Sequence, residues 1–270
     1  MQNKTLDADT YSKTFDLSHF FIKFIDAEFA DNFLKKGELH FEPFVNFRKN
    51  NDGESGDPNE GAVALEVKKT KMTLSLQSNP NPYLIRDYLY AHGVMQYANE
   101  TLEHFGLTSM FYINQLDGLE VEEINSVNYP YENVEKFEKI ANINKKDLDQ
   151  FSSFLASETN TEKVPFLIFP QKFIERIKQR NIKLLRDRVT YYDIHDVGFF
   201  ESMRGGDIIK TLFVKTNNYS HQKEYRFVLP EKISKKGKNI TLGNLEDIAI
   251  RLSFEDLYNL RAYYKDQKLD

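Results

Sequence analysis

Short apolar runs separated by polar turns recur along the whole chain, and their spacing predicts an alternation of strands and helices. His19–Ile25 is an apolar, aromatic run that predicts a first strand. Asp26 is placed as an N-cap. Ala27, Phe29, Ala30, Phe33 and Leu34 then recur at helical spacing, and Gly37 marks the stop. Leu39 and Phe41 alternate with Glu38, His40 and Glu42 in a short strand. Residues 62–77 alternate at Met72, Leu74 and Leu76 and predict one long strand or a pair. Asn79-Pro-Asn-Pro82 reads as a turn, and Leu84, Tyr88 and Leu89 point to a helix within 83–105, weakened by Gly93. Leu107–Ile113 is a short strand, 114–130 is acidic and irregular, and helices are expected at about 131–142 and 146–157.

Val164–Phe169 reads as a buried strand. Pro170 opens a helix with Phe173, Ile174 and Ile177 inward. Val189–Ile194 predicts a strand, followed by the hinge-like Asp196-Val-Gly198. Residues 206–230 read as two strands around a polar turn at Asn217-Asn218. Ile208, Ile209, Leu212, Phe213 and Val214 supply the first, Tyr225, Phe227 and Leu229 the second, and Pro230 stops it. Beyond a basic turn with Lys232, Lys235, Lys236 and Lys238, two short strands are expected at Ile240–Leu242 and Ile248–Leu252. Ser253 and Asp256 form a capping-box variant for a last helix with Leu257, Leu260 and Tyr264 on its buried stripe. The sum is an α+β fold in a single domain, with a mixed, mainly antiparallel sheet, flanking helices, a helical insertion at 114–160 and a loose lead-in at 1–16.

Composition sharpens this picture. The 270 residues include 22 Phe and 15 Tyr but no Trp, so a sheet packed largely with rings is expected. A net charge of -5 gives no support for a dedicated binder of duplex nucleic acid. The absence of Cys excludes disulfides, thiol catalysis and cysteine metal sites. No apolar run is long enough to span a membrane, and the N-terminus has no apolar signal core, so a cytoplasmic protein is expected.

Three constellations could carry chemistry. The six His include no HExxH, and the best cluster, His195 with Asp193 and Asp196, is of a kind common by chance. The loop 50–61 holds Asp52, Glu54, Asp57 and Glu60. It is a solvated turn, a ligand contact or a metal site. Asp57 followed by Glu66 and Lys68 is the pattern a magnesium-dependent nuclease needs, although surface strands carry E-x-K as a charge pair as well. GxSxG, GxxxxGK[ST] and GxGxxG are all absent, and Gly205-Gly206 reads as a turn.

The third constellation is a nucleotide site centred on Glu224. A carboxylate there could bond a ribose hydroxyl and stabilise oxocarbenium-like charge, with the Ser109 hydroxyl supporting it. His19, Lys23, Arg48, Lys215 and Arg226 are the candidates for contact with the cofactor, the Arg226 fork matching phosphate oxygens. The bland alternative is a surface ion pair of Glu224 with Lys215 or Arg226.

Leu34-Lys-Lys-Gly-Glu-Leu-His-Phe41, Gly56-Asp-Pro-Asn-Glu-Gly61, Lys215, Tyr219-Ser-His-Gln-Lys-Glu-Tyr-Arg226 and Gly243-Asn-Leu-Glu-Asp-Ile248 together resemble an uncharacterised prokaryotic and phage domain-of-unknown-function family. That family has an N-D-P-x-E-like loop and a late E-x-E-Y-R segment. Here Gln222 replaces the first acid of that segment, and the loop after Phe47-Arg48 is longer than usual. The strand–helix–Gly–strand opening and late glutamate are in turn reminiscent of ADP-ribosyltransferase-like folds of toxins and phage-defence systems, an analogy at fold level. It implies NAD as substrate, His19 or Lys23 in a first motif, Ser109 in a second and Glu224 in a third. The rivals are the magnesium-dependent nuclease and a non-enzymatic module that docks a protein partner, with the Tyr and Phe clusters of 83–112 as its surface.

Overall fold

The computed structural model describes residues 19–48, 57–76, 79–114, 118–123, 139–156, 162–203 and 208–264, with 63–95, 152–156, 197, 200, 201, 263 and 264 described in backbone alone. The expected lead-in at 1–16, most of the loop 50–61, the first part of the helix expected at 131–142 and the Gly205-Gly206 turn lie outside them. In chain order the elements are β1 (His19–Asp26), α1 (Ala27–Lys36), β2 (Glu38–Pro43), β3 (Ala62–Leu76), β4 (Asn79–Gln96), α2 (Asn99–Leu102), β5 (Gly106–Asn114), β6 (Leu119–Glu123), β7 (Lys139–Ile143) and α3 (Lys145–Ala156). There follow β8 (Lys163–Ile168), α4 (Pro170–Gln179), β9 (Leu185–Arg188), β10 (Thr190–Tyr192), α5 (Val197–Met203), α6 (Ile208–Thr211), β11 (Val214–Thr216), β12 (Glu224–Leu229), β13 (Lys238–Thr241), β14 (Ala249–Arg251), α7 (Phe254–Tyr258) and β15 (Arg261–Tyr264). The fold is α+β and mainly antiparallel, and among the described strands β10 pairs in parallel with β11.

The main sheet has eight strands. On one of its faces the rings of Phe21, Phe33, Phe166, Phe173 and Phe227 pack together beneath α1 and α4. Burying these five rings stabilises this face strongly, since Phe is among the side chains that gain most from leaving water. Gly37 ends α1 in the left-handed region at φ 63°, and its N–H bonds the Phe33 carbonyl, as the sequence predicts. Asp26 does not cap α1 with its side chain. Its carboxylate takes Lys163 at 2.8 Å instead, a longer-range partner that outcompetes the local one.

Each strand has two hydrogen-bonding edges, and β5 shares one of them between two strands. β12 covers residues 106–111 of β5 on one edge. On the other, β1 pairs at 111–114 and β2 at 106–107. Residues 108–110 therefore have an edge that neither strand covers, because β1 and β2 splay apart there. The sheet forks at that point, with β8 and β14 continuing beyond β1 and β13 beyond β2.

Several expectations fail for identifiable reasons. Residues 206–230 are not a hairpin. Residues 208–211 are helical, β11 pairs in parallel with β10, and β12 inserts between β5 and β9. The polar turn folds as a 3-10 helix over 217–222, closed by Lys223 at φ 41°, and it brings Gln222 Oε1 and the Tyr219 ring to the buried Lys215 amine. The Asn79-Pro-Asn-Pro82 turn and the following helix are instead one strand, β4, paired with β3 in a two-stranded ribbon whose register shifts at four points, one of them across Pro80–Pro82. Pro80 and Pro82 fall in the irregularity between the Leu76–Asn79 and Leu74–Tyr83 pairs, a place where prolines are tolerated. Residues 139–143, expected at the end of a helix, form the centre of a three-stranded sheet with β6 and β15, so 114–160 contributes strands as well as α3. The hinge at 196–198 starts α5, and Tyr264 belongs to β15 rather than to the last helix. The Ser253–Asp256 capping box is present.

Candidate functional site

Alternation along β12 turns Tyr225, Phe227 and Leu229 to the ring-packed face, as expected, and Glu224, Arg226 and Val228 to the other. In register with them on β5 are Phe111, Ser109 and Leu107. Phe111 belongs to one apolar cluster and Leu107 with Val228 to another. Ser109, Glu224 and Arg226 thus form a polar band between two apolar clusters, and the turn 57–61 and β11 bring further polar groups to it.

That band is a buried ionic network. Glu60 is 0% exposed, Lys215 and Arg226 are 1% exposed and Glu224 is 9% exposed. Glu224 Oε1 accepts from Lys215 Nζ at 2.8 Å, and its Oε2 accepts from Arg226 Nε at 2.8 Å. Arg226 Nη1 donates to Glu60 Oε1 at 2.6 Å and to the Leu212 carbonyl at 2.8 Å. Lys215 Nζ also donates to Gln222 Oε1 at 2.7 Å. The backbone N–H of Glu224 donates to Tyr191 Oη at 2.9 Å. Asp57 accepts from Thr216 through both N–H and Oγ1, at 2.9 and 3.0 Å, and from the Asn59 N–H at 2.8 Å.

The two glutamates titrate in opposite directions. Burial pushes the Glu224 carboxyl up, but Arg226 and Lys215 outweigh it and bring it down to about 2. Burial pushes Glu60 up, and there Arg226 and Lys215 do not compensate. The geometry explains the difference. Lys215 Nζ is 2.8 Å from Glu224 but 4.0 Å from Glu60 Oε2, and that oxygen is buried without a hydrogen-bond donor. Glu224 is therefore the firmly ionised acid of the pair.

The fork opens beside this network as a cleft of about 1080 Å³. Lys23, Ser109, His221 and Glu224 line it, with Phe24 and Phe111 among its aromatic walls. Lys23 occupies the gap in the sheet. Its Nζ donates to the Ser109 carbonyl and to Thr108 Oγ1, both at 3.0 Å, so an amine satisfies part of the edge that no strand covers. Among the described residues Lys23 has no carboxylate partner. Burial, with Lys163 nearby, lowers its amine from 10.5 to about 8.

Of the residues singled out in the sequence, Glu224, Ser109 and Lys23 meet at this cleft. Lys215 and Arg226 lie behind Glu224 and act on it rather than on the space. His19 stands at the start of β1 with its ring 5.5 Å from Tyr112 and is not among the cleft residues. Arg48 ties the 57–61 turn, through the Glu60 carbonyl, to the start of α2, where it bonds the Tyr97 carbonyl and Asn99 Oδ1, outside the cleft lining. The ion pair expected for Glu224 with Lys215 or Arg226 at the surface forms with both, and is buried. Asp57, Glu60, Lys215, Gln222, Glu224 and Arg226, drawn from separate pieces of the family resemblance, converge in the one network. Glu60 and Tyr191 were not assigned to it from sequence. The signal available was the Asp57-Pro-Asn-Glu60 piece itself, whose acids have no local cation.

Asp57 has both oxygens engaged, and the side chains of Glu66 and Lys68 lie outside the described residues. No group of three metal-ligating side chains occurs among the described residues, and no helix among them is long and apolar enough to cross a membrane. No family model matches the chain, no curated protein matches it, and no solved structure matches it.

Proposed function

We propose that the fork cleft binds a phosphorylated, ring-bearing small molecule, and that the ligand is NAD, handled by an ADP-ribosyltransferase-like reaction. The observation that carries this reading is Lys23. A cation held by two neutral oxygens in a large cleft, with its proton affinity lowered by burial, is stabilised by an incoming anion. A pyrophosphate supplies that anion, and the aromatic walls accept flat rings. The volume of about 1080 Å³ is just above the roughly 300–1,000 Å³ typical of small-molecule sites and leaves room for a ligand as large as a dinucleotide.

In the transfer, the bond between ribose C1′ and the nicotinamide nitrogen breaks. Nicotinamide leaves with the electron pair, and the acceptor's nucleophile bonds C1′ and releases its proton to solvent. Glu224 supports this chemistry by staying ionised. Each of its oxygens accepts one bond inside the network, and a carboxylate has about four acceptor sites, so capacity remains toward the cleft. Ser109 offers a hydroxyl beside it. The test is incubation of the protein with NAD and chromatography of the products. Wild type releases nicotinamide, and Lys23→Met and Ser109→Ala release less. A wild-type protein that neither binds NAD nor releases nicotinamide refutes the reading.

A second reading rests on one observation, that Lys215 and Arg226 engage both Glu224 oxygens. Under it Glu224 braces the cleft wall, and the protein binds its ligand or a protein partner without turnover. NAD binding with no nicotinamide release would favour it.

A further inference from the structure

Across Glu224 from the fork lies a second, smaller cavity of about 230 Å³, lined by Tyr112, Arg188, Tyr191, Ser220, Lys223 and Glu224. Its polar groups are mostly donors. The Arg188 guanidinium stacks on the Tyr112 ring at 3.9 Å and has no carboxylate partner among the described residues. Stacking fixes the plane of the guanidinium while its N–H edge stays open for bonding. Tyr191 Oη accepts the Glu224 N–H, which leaves its own O–H to donate. Burial first, and then the Glu224 charge, hold that phenol well above its ordinary range, so it keeps its proton. Ser220 adds an exposed hydroxyl. The acids nearby are already answered, Asp147 by Lys223 at 2.7 Å and Glu224 by Lys215 and Arg226.

The backbone at this cavity is strained. Lys223 stands at φ 41°, a conformation that costs a non-glycine residue on the order of 1–2 kcal/mol. That turn delivers the Glu224 N–H to Tyr191 and the Lys223 amine to Asp147. Strain of this kind persists where the surroundings over-determine it, and it gathers at ligand sites.

We propose that this cavity is an oxyanion subsite that takes a single phosphate group, with Arg188, Tyr191 and Ser220 as its donors. Three donors from separate elements suit a tetrahedral group better than a planar carboxylate. The volume is below the roughly 300 Å³ at which drug-sized ligands begin to fit. The phosphate is either the free ion or one borne on a larger molecule.

Isothermal titration at fixed ionic strength tests this, with inorganic phosphate, phenyl phosphate and acetate as probes. Phosphate is expected to bind wild type, and acetate to bind far more weakly. Arg188→Gln, on an exposed side chain, is expected to weaken phosphate roughly ten- to a hundredfold, the range of a charge-assisted pair, with an unchanged melting temperature. Tyr191→Phe is expected to weaken it several-fold. Lys23→Met removes any phosphate taken up by the fork cleft and is expected to keep the Arg188-dependent binding, so the Arg188→Gln comparison is made in that background as well and separates the two sites. Tighter binding of phenyl phosphate than of the free ion assigns an ester as the natural source, and the reverse order assigns the free ion. Absence of phosphate binding, equal acetate binding, or an Arg188→Gln protein that binds as wild type does would overturn the proposal.

Discussion

Replacing Glu224 by Gln keeps the volume and removes the charge that Lys215 and Arg226 share. Two buried cations would then face Glu60 alone, through one 2.6 Å bond from Arg226 and a 4.0 Å approach of Lys215. The fall of the Glu224 carboxyl from 4.5 to about 2 corresponds to ~3 kcal/mol at 1.36 kcal/mol for each tenfold step in proton affinity. Breaking one partner of a buried pair costs about 3–5 kcal/mol by a separate route. The two agree, and urea unfolding at pH 7 should show a loss of about 3 kcal/mol. The sign with pH follows from the direction of the shift. Because the folded carboxyl titrates below the unfolded one, its stabilisation is full above about 4.5 and disappears as the pH falls toward 2. The gap between wild type and variant should therefore hold from pH 7 to 5 and close in acid. Glu60→Gln should cost less, since burial already holds that carboxyl's proton affinity up. A Glu224→Gln loss under ~1 kcal/mol at pH 7, or a gap that does not close in acid, would refute the assignment of Glu224 as the network's firmly ionised acid.

Lys23→Met should abolish binding in the fork and raise the melting temperature at pH 7. The folded amine titrates near 8 against 10.5 unfolded, so its charged form opposes folding below about 8 and ceases to do so above 10.5. Lower stability in that variant would contradict this. For the same reason, anion affinity in wild type should fall as the pH rises past 8, measured by titration. Gly37→Ala should cost more than ~1–2 kcal/mol in urea unfolding, because φ 63° suits glycine and a Cβ there would run into the Gly243 carbonyl oxygen. Asp57→Ala should raise the proteolysis rate of the 57–61 turn, since Asp57 ties that turn to Thr216 through two bonds.

What the sequence made legible was local. The β1–α1–β2 opening, the Gly37 stop, α4 after Pro170 and the Ser253 cap each follow from signals within a few residues. The β3–β4 ribbon was missed because its Pro and Gly residues look like breakers when read without their partner strand. The hairpin expected at 206–230 failed because its two strands take other partners, β11 pairing with β10 and β12 with β5 and β9, while Gln222 of the turn bonds the buried Lys215 amine. Glu224 and Ser109 could be singled out by type and position, but nothing in the chain announced that Arg226 would reach Glu60 across 166 residues. Nor could spacing reveal that β1 and β2 would divide one edge of β5, which is what gives Lys23 its place.

The most direct measurement is isothermal titration of NAD into wild type and Lys23→Met at pH 7. Saturable binding to wild type that is lost in a folded Lys23→Met protein is the result the account predicts. Equal binding by both, or none by wild type, would contradict it.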